Sequence, residues 1–423
     1  MRPRVLRAAL TAALLTLPAF AGAQIPDSLD IDASRSTVPV ERVRSGGPPP
    51  QGIPALGFGG MDGVASSTPA PTFIPAEEAT WLGPREPVIL AGLGGERRIY
   101  PLQILMWHEI ANDTLNGVPV AVTFCPLCNS ALVLDRRVPV GPERLAGLRA
   151  RAAERGVELP VEPLPEDLAE RLAERGDEGA THVIPVSFGV SGLLYASNLL
   201  MFDAYTGTLW SQAVGRGTVG LLAGHDLVRY AAPILSFEEA RATAPEAPVM
   251  DRPRDFSRRY GQNPYVGYDD AGSPAFLFDA EPDGRLDAKA RVVTIDAEPA
   301  VAYPYDHLRE VRVVHDEVGG DGVVVAWRPG TASALAEARI AQATDVGAVV
   351  VFETALNGRE LRFEAVDEGS AVLRDLETGT LWDATGRAIE GPLEGERLTP
   401  VVHDRTLWFA WAAFRPDTEV RRP

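Results

Sequence analysis

Cys125 and Cys128 are the only cysteines in the chain, and two residues separate them. An apolar run from Val118 to Phe124 precedes them, and a second run from Ala131 to Leu134 follows. This pattern predicts a strand, a tight turn and a second strand, with both sulfurs on the turn. Two thiols at this spacing can bind one metal ion, cycle between dithiol and disulfide, or form a small structural disulfide. The spacing leaves these three interpretations open.

A second copy of this region is predicted further along the chain. Three short segments recur at an offset of 203 residues and a fourth at an offset of 172, so the first copy is about thirty residues longer. Matches in the same order predict an internal duplication. The matched segments are Tyr100-Pro101-Leu102 with Tyr303-Pro304-Tyr305, Phe124-Cys125-Pro126 with Trp327-Arg328-Pro329, Ser130-Ala131-Leu132 with Ser333-Ala334-Leu335, and Asp203 to Trp210 with Asp375 to Trp382.

Four chemically capable residues of the first copy are lost together in the second, so we expect them to work together. Two cysteines and one histidine make a partial Cys₂His ligand set that suits one Cu or Zn ion, with Glu109, water or substrate in the fourth position. The cysteines and His108 are also the candidate catalytic residues of a redox-active dithiol. At the same offset, Cys125 is replaced by Arg328, Cys128 by Thr331, His108 by Val311 and Glu109 by Arg312.

Ser211 and Gln212 are candidate cofactor-binding residues, because Asp383 and Ala384 replace them in the second copy. Heme attachment is excluded, since Asn129 occupies the position where a histidine would be required after the cysteine pair. No phosphate loop or dinucleotide fingerprint is present, so no nucleotide is expected. A disulfide across so short a loop would contribute only roughly 2 kcal/mol to stability.

Composition limits the classes of partner. The net charge of −18 argues against nucleic acid or an anionic membrane surface. The apolar fraction of 45% allows a packed core. Basic charge is almost all arginine, and Lys289 is the only lysine, which we interpret as a compositional habit rather than a site.

The N-terminus has the pattern of a signal peptide over residues 1–23. Three arginines precede an apolar stretch from Ala8 to Phe20, and Ala21-Gly22-Ala23 supplies small residues for cleavage before Gln24. No later stretch approaches the roughly 20 apolar residues of a membrane span. We therefore expect a soluble exported protein, periplasmic or extracellular, whose cysteines meet an oxidising compartment.

The remaining chain divides by composition into four parts, and the predicted fold class is α+β with mainly antiparallel sheets. A helix is predicted from Leu102 to about Asn112, with strands over 119–124 and 130–136. The segment over residues 251–284, which is rich in aromatic residues and links two folded units, either lines a cleft between those units or covers their seam. The parts are a Pro/Gly-rich arm over 24–84 that is expected to lie partly on the surface and to be partly mobile, a first unit over 85–250 with a helical insertion at 139–180, a link over 251–284, and a second unit over 285–423.

Several motifs spread along the chain together resemble one family. They are Gly52-Ile53-Pro54-Ala55, Trp107-His108-Glu109-Ile110, Val122 to Cys128, Phe188 to Leu193, Leu209 to Gln212, and Tyr260 to Tyr265. These motifs resemble those of the bacterial "domain of unknown function 3179" family, and the resemblance extends over nearly the whole mature chain. That family has no assigned activity, so the resemblance implies a common fold and a common site but no reaction.

Two functions from different classes follow from the sequence. The first is an exported thiol protein that binds Cu or Zn or works as a redox dithiol, with its site in the first unit. The second is a non-catalytic envelope module that binds a ligand, in which the cysteines form a structural disulfide. The partner is expected to be a small molecule or an envelope protein, and whether the protein is an enzyme is left undecided.

Overall fold

The structure is a computed structural model that describes residues 25–154, 156, 158–174, 179–367 and 369–423. The predicted signal peptide and Gln24 lie outside the described residues, as does part of the insertion. Strands dominate the described chain and pair mostly antiparallel in several sheets, which confirms the α+β class. None of the described helices has the length and apolar character needed to cross a membrane.

The elements before residue 137 include the two strands that flank the cysteine turn. These elements are β1 (Val43–Ser45), β2 (Phe73–Ile74), β3 (Pro87–Leu93), β4 (Glu96–Pro101), α1 (Leu102–His108), β5 (Ile110–Leu115), β6 (Val118–Cys125) and β7 (Ser130–Asp135). Strands β3 and β4 belong to a five-stranded sheet. Strands β5, β6 and β7 belong to a four-stranded sheet, whose fourth strand comes from later in the chain.

The insertion and the remainder of the first half follow. The two insertion helices were predicted, and each buries two leucines against the protein: Leu145 and Leu148, and Leu168 and Leu172. The elements are β8 (Arg137–Val140), α2 (Pro142–Glu154), β9 (Glu162–Pro163), α3 (Glu166–Glu174), β10 (His182–Pro185), β11 (Phe188–Tyr195), β12 (Asn198–Asp203), β13 (Leu209–Ser211), β14 (Arg216–Val219), β15 (Arg229–Tyr230), β16 (Ile234–Ser236), α4 (Phe237–Thr243) and β17 (Val249–Met250).

Residues 251–290 contain no described helix or strand and connect to the second half. The second half forms its own series of antiparallel sheets. Its elements are β18 (Arg291–Ile295), β19 (Val301–Pro304), α5 (Tyr305–Val311), β20 (Val313–Val318), β21 (Asp321–Arg328), β22 (Ala348–Glu353), β23 (Ala355–Leu356), β24 (Arg359–Glu360), β25 (Phe363–Ala365), β26 (Ala371–Asp375), β27 (Leu381–Asp383), β28 (Ala388–Glu390), β29 (Asp404–Leu407), α6 (Trp408–Ala412) and β30 (Glu419–Val420).

Helix α1 is shorter than predicted, because it ends at His108 rather than near Asn112. Glu109 adopts a left-handed backbone conformation with φ of 56°, which stops the helix. From Ile110 the chain pairs with β6 instead, through a hairpin whose Asn116-Gly117 turn has positive φ at both residues. The turn therefore joins two strands, and the helix enters this hairpin directly.

The arm over residues 25–84 lies partly on the surface, because most of its residues are half-buried or exposed. Its strand β1 pairs with β11, and its apolar residues Leu29, Ala55, Leu56 and Phe58 are at most 1% exposed. Proline and glycine prevent regular structure here without preventing burial of the apolar residues between them. The arm therefore also contributes to the core.

One of the four predicted sequence matches does not correspond in position. Strand β22 pairs with β21 as β7 pairs with β6. Residues 333–335, which match Ser130 to Leu132 in sequence, lie in the loop before β22. The sequence identity of these three residues is therefore not matched by an equivalent position in the fold.

Candidate functional site

The cysteine turn connects β6 to β7 as predicted. Cys125 is the last residue of β6 and pairs with Ser130, and the Cys128 N–H donates to the Cys125 carbonyl over 3.2 Å. Asn129 closes the turn with φ of 53°. Both cysteines are free thiols, at most 1% exposed, and their sulfurs are 2.6 Å apart. The turn therefore holds two thiols in contact inside the protein.

A fixed amide holds the thiol of Cys128. Asn198 follows the turn between β11 and β12, and its Nδ2 donates to the Ala196 carbonyl over 2.9 Å. This leaves Asn198 Oδ1 to accept a hydrogen bond from Cys128 Sγ over 2.8 Å. Burial, followed by the neighbouring Cys125 thiol, raises the pKa of Cys128 well above its usual value. Cys128 is therefore held as a protonated thiol.

The only lysine of the chain is buried near this site, a position that its interpretation as a compositional habit did not anticipate. Lys289 is 4% exposed, and its Nζ lies 3.1 Å from the ring centroid of Tyr268 without a hydrogen-bond partner among the described residues. Burial lowers the pKa of Lys289 to about 8, and the charges of Asp269 and Cys128 oppose that shift. A buried amine is thus within electrostatic range of the Cys128 sulfur.

Two tyrosines of the link approach the cysteines. Burial raises the pKa of Tyr268 to about 12, and the charges of Cys128 and Cys125 add to that shift. Burial also raises the pKa of Tyr265, which lies within electrostatic range of Glu109 and Cys125. Tyr268 also packs against the apolar cluster that contains Cys125 and Cys128, so this part of the link lies near the thiols.

Glu109 is a buried carboxyl group within electrostatic range of Tyr265. Its backbone carbonyl accepts a hydrogen bond from the Phe124 N–H over 2.8 Å, which joins the end of α1 to the strand that leads to Cys125. The residue is 7% exposed, and burial raises the pKa of its carboxyl group to about 8. At neutral pH Glu109 is therefore mostly protonated.

His108 is engaged away from the sulfurs. Its Nδ1 lies 2.7 Å from the Pro54 carbonyl oxygen, and its Nε2 lies 2.7 Å from the Tyr260 hydroxyl. Since a carbonyl only accepts, Nδ1 carries the proton and Nε2 accepts from Tyr260. Burial lowers the pKa of His108 to about 4, so the ring is neutral. His108 connects the arm, α1 and the link.

The predicted pair Ser211 and Gln212 lies at the end of β13, and Gln212 reaches the strands of the cysteine turn. Gln212 Nε2 donates to Thr123 Oγ1 over 3.0 Å and to the Ser130 carbonyl over 3.4 Å. Gln212 Oε1, Ser211 Oγ and both polar atoms of Asn129 are buried without a hydrogen-bond partner among the described residues. Buried polar atoms are normally hydrogen-bonded. These unpaired atoms therefore leave hydrogen-bond donors and acceptors available beside the turn.

The second half completes the site through β29. Asp404 accepts a hydrogen bond from Ser130 Oγ over 2.5 Å, and burial raises the pKa of this carboxyl group to about 7. The Leu407 N–H and the Thr406 hydroxyl both donate to the Cys128 carbonyl, over 2.9 and 3.1 Å. The second half lacks the thiols but covers those of the first.

Metal ligands are not assembled around the sulfurs. Across the described ranges, no group of three or more His, Cys, Asp and Glu side chains is placed to hold an ion. The sulfurs, 2.6 Å apart, are also closer than two thiolates on tetrahedral zinc, which Zn–S bonds of about 2.3 Å would separate by about 3.7 Å. Binding of Cu or Zn therefore stays a prediction, and it would require the sulfurs to separate.

Three residues of the site were not identified from the sequence. Asn198 and Asp404 carry no local motif, and Asp404 lies in the half that lacks the thiols. Lys289 did carry a signal, because it is the one lysine among 40 basic residues.

The fold and site define an α+β protein with a buried dithiol at the end of one antiparallel sheet. The chain belongs to the family described as "Protein of unknown function (DUF3179)", whose model matches residues 50–418. A search of the curated proteins and a search of the solved structures gave no significant match.

Proposed function

We propose that this protein is an exported thiol–disulfide protein whose reactive pair is Cys125 and Cys128. The observation that carries the proposal is the contact between two free, buried thiols whose sulfurs are 2.6 Å apart. A disulfide bond has an S–S length of about 2.05 Å, so oxidation needs only a small approach of the two sulfurs. The 2.6 Å separation therefore supports a turn that brings the two sulfurs close enough to bond to each other.

The reaction is a thiol–disulfide exchange with a second disulfide as oxidant. A thiolate of the pair attacks one sulfur of that disulfide and releases the first thiol, and the other cysteine then attacks the mixed disulfide and releases the second. The pair loses two electrons and two protons, and the two released thiols take them up. The reverse exchange with a dithiol reduces the pair again.

The surrounding groups support a pair that changes its protonation state. Cys128 holds its proton through burial and the bond to Asn198, so its ionisation needs a compensating positive charge. The ammonium group of Lys289 supplies that charge in the same buried region. Glu109, whose pKa is raised to about 8, is a nearby carboxyl group that can hold or release a proton near neutral pH. An inert structural disulfide would require none of these groups.

We further propose that the two halves arose by internal duplication and that the second is a structural partner. Support comes from contacts that recur at the offsets found in the sequence. Arg328 forms an ion pair with Glu239 of the first half, and Arg312 pairs with Asp367 within the second half, so the positions that match Cys125 and Glu109 form ion pairs instead. The recurring contacts are Tyr100 to Asp113 at 2.7 Å with Tyr303 to Asp316 at 2.8 Å, and Trp210 to Asp203 at 3.1 Å with Trp382 to Asp375 at 3.1 Å.

The proposal is tested by redox titration of the mature protein together with thiol counting and elemental analysis. We expect two titratable thiols after reduction, no stoichiometric metal, and reversible loss of both thiols in mixtures of reduced and oxidised dithiothreitol. Cys125→Ser and Cys128→Ser should each abolish the two-electron transition. Lys289→Met should shift the pH dependence of iodoacetamide alkylation of the thiols to higher pH, whereas Lys289→Arg keeps the charge and serves as its control.

Two outcomes would replace the proposal. About one equivalent of Cu or Zn that is lost in Cys125→Ser would assign the site to metal binding. A disulfide that dithiothreitol reduces only after denaturation would make the pair structural and favour the ligand-binding module.

A further inference from the structure

A cavity lies between the two halves of the chain. Its volume is about 300 Å³, the lower end of the range for small-molecule pockets, and none of the thiol-site residues lines it. The first half contributes the β3–β4 hairpin and residues 231 and 233, and the second contributes β22 with residues 384–385 and part of 397–403. The cavity is therefore formed only when both halves are packed together.

Two arginines, Arg97 and Arg397, line this cavity. Burial and then the charge of Arg97 lower the pKa of Arg397, whereas the charges of Asp383 and Glu246 oppose that shift. Arg97 has a 3.4 Å contact with the exposed carboxylate of Glu246. Neither Asp383 nor Glu246 lines the cavity, whose lining includes one carboxylate, that of Glu96.

The other polar residues of the lining do not neutralise this charge. The Glu96 carboxylate is occupied by Arg98 at 2.7 Å and by the Asn116 N–H at 2.6 Å. His403 Nδ1 lies 2.8 Å from the Val401 carbonyl, and burial lowers the pKa of that ring, so it is neutral. The charged residues of the lining are therefore two arginines and one glutamate, which give the lining itself a net positive charge.

The rest of the lining is largely apolar. Leu90 and Leu93 come from β3, Pro233 from the segment before β16, and Phe352 from β22. A ligand that fits must combine a negatively charged group for the two arginines with a small apolar body for this wall. A planar carboxylate matches the paired donors of a guanidinium group.

We infer that the cavity between the halves is a binding site for a small carboxylic acid with an apolar body, anchored by Arg97 and Arg397. The carboxylate would pair with the guanidinium groups of Arg97 and Arg397, and the apolar body would displace water from Leu90, Pro233 and Phe352. This site is independent of the thiol chemistry, and its ligand is held by both halves.

Calorimetric titration of the full mature chain with benzoate tests the inference, with benzamide as an uncharged probe of the same shape. We expect benzoate to bind and to raise the melting temperature, and benzamide to bind at least about tenfold more weakly, because a charge-assisted hydrogen bond contributes more than a neutral one. Arg397→Gln and Arg97→Gln should each weaken benzoate binding by about tenfold or more. Arg387→Gln is the matched control, because Arg387 is a neighbouring arginine that does not line the cavity.

Equal binding of benzoate and benzamide would overturn the inference, and so would unchanged benzoate binding by a folded Arg97→Gln, Arg397→Gln double variant. Absence of benzoate binding at millimolar concentration to a folded wild-type protein would overturn it as well. Loss of binding in Arg387→Gln to the same extent as in Arg397→Gln would show that only general positive charge attracts the probe. Circular dichroism of each variant verifies folding.

Discussion

Replacement of Glu109 by glutamine should stabilise the protein at alkaline pH and leave its stability unchanged at acidic pH. Burial raises the pKa of this carboxyl group from 4.5 to about 8 in the folded protein. The group therefore contributes its full stability below pH 4.5, and that contribution is lost as the pH rises towards 8, since ionisation is easier in the unfolded chain. A shift of this size corresponds to about 5 kcal/mol of the free energy of unfolding, at about 1.36 kcal/mol per pKa unit. Glutamine has nearly the same shape as the protonated acid and does not ionise.

The assay is guanidinium denaturation of wild type and Glu109→Gln at pH 4.5, 6, 7 and 8.5. The difference in the free energy of unfolding should be near zero at pH 4.5 and should reach about 4 to 5 kcal/mol in favour of the variant at pH 8.5. Asp404, whose pKa is raised to about 7, titrates in both proteins and so cancels in the difference. Glu394→Gln, at an exposed carboxylate, is the control and should show no such trend. A Glu109→Gln variant with the same pH dependence as wild type would refute the burial argument.

Two further predictions concern the rest of the chain. Tyr260→Phe should lower the free energy of unfolding by about 1 to 3 kcal/mol, because Nε2 of the neutral His108 loses its hydrogen-bond donor. The redox midpoint of the thiols should stay unchanged. Denaturation and redox titration measure the two effects, and a shifted midpoint would show that His108 acts on the thiols. The exported protein should begin at Gln24, and intact-mass spectrometry that finds residues 1–23 still attached would contradict the predicted cleavage.

The turn that carries the thiols was predictable because its signal is local. Two apolar runs with a short break allow only a hairpin at this place, and the cysteines are in the break. The end of α1 was not predictable in the same way. Nothing in the residue type of Glu109 favours a left-handed conformation, and the pairing of Ile110 with Thr123 decides where the helix stops.

The partners of the thiols were missed because they come from distant parts of the chain. Asn198 is placed by the β11–β12 hairpin, Lys289 by the end of the link, and Asp404 by β29. The comparison of the two proposed copies directed attention to residues that the second half lacks. That comparison cannot detect a residue of the second half that acts on the first, as Asp404 does through Ser130.

The contacts between β29 and the cysteine turn determine when the thiols become buried during synthesis. A chain made from its N-terminus presents Cys125 and Cys128 some 280 residues before Asp404, Thr406 and Leu407, which hold the turn from the other side. Until those last residues fold, the two sulfurs lack part of their cover and are open to any oxidant that the nascent chain meets. We therefore expect the oxidation state of the pair to depend in part on whether it is set before or after β29 folds against the turn.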